Sequence, residues 1–179
     1  MKLKHIHIKR KQIVPLAAAF ILAACTSAAP LPRLAQAWPQ QDEVRWFKLV
    51  QTAEDGRILQ TSLLAVQPDG SDGLRFVQTD ALGAPLARQT VSRKGWANDG
   101  FVAPNRRAQQ VFAAVVPLID PQAAVYPQPH VEKQGAADIY FQNGKEMWRI
   151  VRQNDAAVMM FPDRSVWQLT PLDNGQTEP

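Results

Sequence analysis

Residues 138–152 read DIYFQNGKEMWRIVR, and this stretch decides the fold. Asn143-Gly144 sits between two β-favouring runs, Asp138 to Gln142 and Lys145 to Arg152. Asn followed by Gly is the pair that best fits a type I′ turn, because both central residues need positive φ, and the right-handed twist of two antiparallel strands favours that turn. The stretch therefore predicts a hairpin. Two further strands follow, near 157–161 and 165–170. Upstream, apolar and β-branched runs near 44–53, 57–67, 74–79 and 86–93 are separated by Glu54-Asp55-Gly56, by Pro68 to Gly73, and by Leu82-Gly83-Ala84-Pro85. Short runs divided by such turn chemistry predict an antiparallel meander.

Between the two strand groups the periodicity changes. Ala108, Val111, Phe112, Val115 and Val116 follow the i, i+3, i+4, i+7, i+8 spacing of one helix face. Asn105 fits an N-cap, and Pro117 removes a backbone donor where the helix is expected to end. A Pro-broken connection containing Asp120-Pro121, Pro127 and Pro129 leads back to the strands. Several strands carry apolar residues on both faces, as in Trp46-Phe47, Leu63-Leu64 and Phe76-Val77, whereas a sheet with water on one side alternates more cleanly. Two explanations stand. One is a sheet covered by helix on one face and by loops on the other; the other is a curved, partly closed barrel whose concave side holds the helix and an apolar cavity.

The N-terminus bears on location. Lys2, Lys4, Lys9, Arg10 and Lys11 form a basic region, Ile13 to Leu22 a short apolar one, and Leu22-Ala23-Ala24-Cys25 closes it in the pattern of a bacterial lipobox. About ten apolar residues fall short of the roughly 20 that span a bilayer. Ordinary secretory cleavage also suits the Ala-rich exit, but Cys25 is the only cysteine and has no disulfide partner within the chain. The expectation is a signal peptide over 1–24, with Cys25 as the lipidated residue bearing palmitate or a similar acyl chain. Residues 25–41, rich in Pro, Ala and Gln with one charge at Arg33, read as a tether with a reach of about 50 Å. The folded domain is then 42–172, with a flexible tail over 173–179. Thr26 and Ser27 follow the cysteine, not the Asp that holds well-studied Gram-negative lipoproteins at the inner membrane. By that likeness the destination is the outer membrane, facing the periplasm.

The formal charge of +4 includes five basic residues ahead of Cys25, so the remainder has 15 basic and 16 acidic residues, a net of −1. The basic footprint that phosphate binding requires is missing, and no nucleic-acid partner is expected. Catalytic chemistry is equally sparse. His130 is the only histidine after the signal and reads as a surface residue of the Pro-rich connection. The five serines after Cys25 lack a nucleophile-elbow context, and no phosphate-binding Gly-rich loop occurs. The expectations are no catalytic residues, no metal ligands and no cofactor.

The order of elements (lipobox, tether, meander, amphipathic helix, Asn-Gly hairpin, closing strands) resembles that of the outer-membrane lipoprotein receptor of the lipoprotein-localisation pathway and its periplasmic carrier relative. It looks especially like a family of bacterial lipoproteins related to that receptor. The likeness is carried by Thr79-Asp80-Ala81-Leu82-Gly83, by Tyr140 to Lys145 with Trp148 after it, and by the helix between them. The chain departs from the receptor in its shorter length, in Ala81 where a Pro is usual, and in the Pro-broken segment between Leu118 and Pro129. The resemblance implies an α+β fold, a curved antiparallel half-barrel sheet with helices covering its concave side. It also implies that an outer-membrane lipoprotein of this type binds or transfers the acyl chains of a lipid or lipoprotein cargo, with a periplasmic carrier as a further partner. Leu82 would contact membrane or cargo, and Leu63, Phe76, Phe112, Trp148, Met160 and Trp167 are the candidates to line the acyl-chain site. The competing expectation is a non-enzymatic assembly or scaffold lipoprotein whose interior is filled and whose surface binds a protein.

Overall fold

The computed structural model describes residues 30–38, 43–119 and 130–172; the signal, Cys25, the connection over 120–129 and the tail over 173–179 lie outside them. Ten strands form one antiparallel sheet: β1 Arg45–Thr52, β2 Ile58–Asp69, β3 Gly73–Thr79, β4 Pro85–Ser92, β5 Gly95–Asn98, β6 His130–Gln134, β7 Ala137–Gln142, β8 Lys145–Gln153, β9 Ala156–Met160 and β10 Val166–Leu172. Their spatial order is β5-β4-β3-β2-β1-β10-β9-β8-β7-β6. The two meanders meet where β1 pairs with β10, and the sheet is curved but stays open, with β5 and β6 as its edges. One helix, α1 Arg106–Ile119, packs against one face.

The expected hairpin is present. Asn143 and Gly144 have φ of 52° and 72°, and Gln142 pairs with Lys145 across the turn. The N-cap is also where the sequence places it: Asn105 Oδ1 accepts from Ala108 N at 3.0 Å. Pro117, expected at the helix end, lies inside α1, which continues to Ile119. A proline this near the C-terminus removes one donor without interrupting the earlier turns. At the end itself, Arg45 Nη1 donates to Ile119 O at 2.6 Å, placing a cation on a helix C-terminus.

Two strands escaped the sequence pattern. β5 is four residues long, and β6 is exposed throughout, with no buried face to create alternation. His130, expected in a loop, opens β6 and lies exposed, its Nε2 3.0 Å from Glu132 Oε1.

Residues 30–38 correct the expected boundary between tether and domain. Leu34 and Trp38 are 2% and 6% exposed and belong to the core. Leu34 N donates to Ser92 O, and Trp96 Nε1 donates to Pro32 O at 2.7 Å. The described core thus includes residues from the 30–38 stretch assigned to the tether, because two large apolar side chains there gain more from burial than the segment loses in freedom.

Candidate functional site

Strand alternation decides which side chains can line the face that holds α1. On β1 and β2 the inward residues are Phe47, Leu49, Ser62, Leu64 and Val66, all buried. Phe76 on β3, Trp148 and Ile150 on β8, Met159 on β9, and Trp167 and Leu169 on β10 point the same way and join one core cluster. Of the six candidates for an acyl-chain lining, the structure brings together Phe76, Phe112, Trp148 and Trp167 in that cluster.

Leu63 and Met160 do not belong with them. Leu63 is 39% exposed and pairs with Lys48 on the opposite face. Met160 pairs with Arg149 and Val166, while its neighbour Met159, paired with Ile150 and Trp167, is the buried one. Side chains alternate along a strand with a period of two, so in an apolar doublet only one member can face inward. The doublets Leu63-Leu64 and Met159-Met160 carry no sign of which member that is; it is fixed by the register with neighbouring strands.

The apolar face of α1 joins this core cluster. Every residue from Val111 to Val116 is fully buried, as is Phe112 against the sheet. The Phe112 and Phe76 rings stack with centroids 5.1 Å apart and planes 10° apart, and Trp96 lies 5.8 Å from Phe76. A second aromatic group follows around the curve, with Tyr140 and Phe161 on either side of Trp148 at 5.7 and 6.5 Å. Where several helices are expected over the sheet, the described residues contain one. On the outer face Trp46 and Leu63 remain 43% and 39% exposed, so no loop among the described residues buries them.

Polar atoms within this interior are few. Ser62 Oγ donates to Leu49 O and accepts from Gln78 Nε2, and Gln89 Nε2 donates to Asn105 O at the helix start. Among the described residues, the buried indole nitrogens of Trp148 and Trp167 have no hydrogen-bond acceptor. Leaving a buried donor unpaired costs about 1–3 kcal/mol.

Two clefts flank α1. One of about 240 Å³ lies at its N-terminal end, between Leu31, Arg106, Gln110, Met147, Trp148 and Phe161. The other, about 650 Å³, lies beyond Leu118 and is bounded by Phe47, Arg152, Ala157, Leu169 and Pro171. The second falls in the range of roughly 300–1,000 Å³ usual for small-molecule sites, as does a more open one of about 450 Å³ bounded by Gln51, Leu59, Arg107 and Asp163. Arg152 pairs with Asp138 beside it. The phenol of Tyr140 is shifted up by burial, which outweighs the opposing charge of Arg152.

At the first cleft two carboxylates are held low. Glu146 accepts Nε and Nη2 of Arg149 at 2.6 and 2.8 Å, which lowers its pKa. Burial pushes Asp163 up, but hydrogen bonds from Ser165 and the charge of Arg107 outweigh it and leave the carboxyl below its ordinary value. Among the described residues no three His, Cys, Asp or Glu side chains converge as a metal site requires, and no helix is long and apolar enough to cross a membrane.

Leu82 stands apart from these clefts. It is 95% exposed at the tip of the β3–β4 turn. Asp80 fixes that turn: its Oδ1 accepts from Leu82 N at 2.9 Å and from Ala84 N at 2.8 Å, while Gly83 adopts a φ of 86°. The side chain is therefore presented outward on a short, braced loop. Neither any family model nor any curated protein matches this chain.

Proposed function

We propose that the protein is a non-enzymatic lipoprotein, anchored to the inner leaflet of the outer membrane through Cys25, whose half-barrel accepts or transfers the acyl chains of a lipid or lipidated protein in the periplasm. The observation that carries this reading is Leu82, an apolar side chain held almost wholly in solvent by a braced turn. Asp80 holds the turn in a conformation that keeps Leu82 outward, which is the presentation that contact with a bilayer or an incoming acyl chain would need. The open, curved sheet with a helix on its concave face agrees with the fold that the lipoprotein-receptor resemblance implies.

The chemistry of the interior supports the same reading. Each methylene kept out of water is worth about 0.8 kcal/mol, so one long chain needs roughly 10 kcal/mol of apolar contact. Phe76, Phe112, Trp148 and Trp167 supply a surface of that kind. The unpaired N–H groups of Trp148 and Trp167 match the carbonyl of an ester or amide on an acylated cargo. With α1 seated, Phe112 packs directly on Phe76, so cargo admission requires α1 to move off the sheet and the acyl chain to enter between them.

One observation favours a second reading, a scaffold lipoprotein that binds a protein through its surface: the six consecutive buried residues Val111 to Val116 leave the interior filled. Native mass spectrometry separates the two. The Cys25→Ala chain, incubated with phospholipid or an acylated lipoprotein and then freed of excess, is expected to carry one acyl-bearing adduct. A bare polypeptide mass under every condition contradicts the transfer reading and favours the scaffold.

A further inference from the structure

The two ends of the sheet differ in character. Because all neighbouring strands are antiparallel, the β1–β2, β3–β4, β7–β8 and β9–β10 turns share one end, and β5 exits toward it. The β2–β3, β4–β5, β6–β7 and β8–β9 turns share the other. At that second end the turn residues are small, polar or charged: Gly70-Ser71-Asp72, Arg93-Lys94, Gly135-Ala136 and Asn154-Asp155. The first end carries the four most exposed large apolar side chains among the described residues, Ile58 at 64%, Leu59 at 50%, Leu82 at 95% and Phe101 at 110%, whereas the other exposed ones reach only 37–44%. A register shift between Gln51 and Thr52 inserts Leu59 as an extra residue at the base of the β1–β2 turn. Bulges of this kind re-aim side chains at sheet ends.

The chain enters the domain at the same end. Pro30 and Leu31 lie beside Arg106, Phe161 and Asp163, at the helix start and the β9–β10 turn. Only residues 26–29 separate Cys25 from Pro30, a span of five residue steps. Five residues extend to about 18 Å at most. An anchor at Cys25 therefore cannot leave the domain free at a long distance; it holds the end bearing Ile58, Leu59 and Phe101 within reach of the lipid headgroups.

We infer that this end is a membrane-docking face, seated on the leaflet that holds the anchor, with Ile58, Leu59 and Phe101 joining Leu82 in contact with the bilayer. The inference rests on the reading of Cys25 as the lipidated residue. The contact is apolar in kind: the charges nearest it are paired, Arg57 with Asp55 at 3.8 Å, Arg164 with Glu54 at 3.4 Å, and Arg107 with Asp163, while Lys145 at the β7–β8 turn adds one exposed cation at this end. Exposed charges paired in this way leave little field for anionic lipid, and salt should matter little.

The test uses the full chain, acylated and reconstituted in vesicles of phosphatidylethanolamine and phosphatidylglycerol. Acylation blocks the thiol of Cys25, so Leu59→Cys, Phe101→Cys and, at the opposite end, Ser71→Cys each offer one site for an environment-sensitive fluorophore. Lipids spin-labelled on the acyl chain should quench emission at 59 and 101 and leave 71 unchanged, with the same result in high salt. Equal quenching at all three sites, quenching at none, or quenching lost in salt while labelled palmitate is incorporated overturns the docking face and leaves the anchor intact. Absence of palmitate with protein washed off the vesicles defeats the anchor reading and this inference together.

Discussion

Replacing Phe112 by Ala tests whether α1 is seated in the sheet as a close-packed plug. Phe112 is fully buried and stacks on Phe76 at 5.1 Å, so its removal leaves a void that neighbours on a ten-stranded sheet can only partly fill. Phe→Ala changes at such sites cost about 3–5 kcal/mol. The upper half of that range is expected, because a stacked pair contributes roughly 0.5–1.5 kcal/mol beyond its buried area. In thermal unfolding the loss corresponds to roughly 6–20 °C for a domain of this size. Denaturant titration of the wild type, Phe112→Leu, Phe76→Leu and the double variant gives the coupling directly, expected at about 0.5–1.5 kcal/mol. A Phe112→Ala loss under about 1 kcal/mol, in the range of surface changes, would refute the packing of α1 against Phe76 and the core.

Three further outcomes are expected. Gly144→Val should destabilise the domain by about 1–2 kcal/mol from left-handed backbone strain. An added Cβ there meets nothing within 4 Å, so an unchanged denaturation midpoint would mean the φ of 72° is not maintained. Glu146 and Asp163 have lowered pKa values, so the stability they contribute is fully present above their ordinary values of 4.5 and 3.8 and is lost as pH falls below them. Melting temperature should drop through that window, and the drop should shrink in Glu146→Gln with Asp163→Asn; an unaltered profile counts against both pairs. Cys25→Ala should abolish labelled palmitate incorporation and membrane anchoring, whereas a wild-type chain that takes up no label would remove the lipid anchor.

The parts of the fold legible in the sequence are those where one local rule acts alone. Asn143-Gly144 demands a tight turn, and Ala108 to Val116 repeats at helical spacing; both appear where expected. What stayed hidden depended on distant partners. Leu63-Leu64 and Met159-Met160 offer an apolar residue to each face, and only pairing with β1, β8 and β10 fixes which one enters the core. β6 shows no pattern because no face of it is buried. Residues 30–38 have the composition of a linker, yet Leu34 and Trp38 are core residues. The available signal was Trp38 itself, a large aromatic side chain that a solvated tether rarely keeps in water. Leu82, expected from the resemblance to contact membrane or cargo, is exposed at the tip of the Asp80-braced turn.

The most direct test of acyl-chain handling is Leu82→Glu, with melting temperature and lipoprotein transfer to liposomes measured on the same preparation. The substitution removes no packing and leaves the backbone bond from Leu82 N to Asp80 intact, so stability should change by no more than about 0.5 kcal/mol. Burial of one leucine in an apolar phase is worth roughly 1.5–3 kcal/mol, so transfer should fall by about 10- to 150-fold. Intact stability with loss of transfer is the predicted result; transfer at the wild-type rate with intact stability would contradict the account.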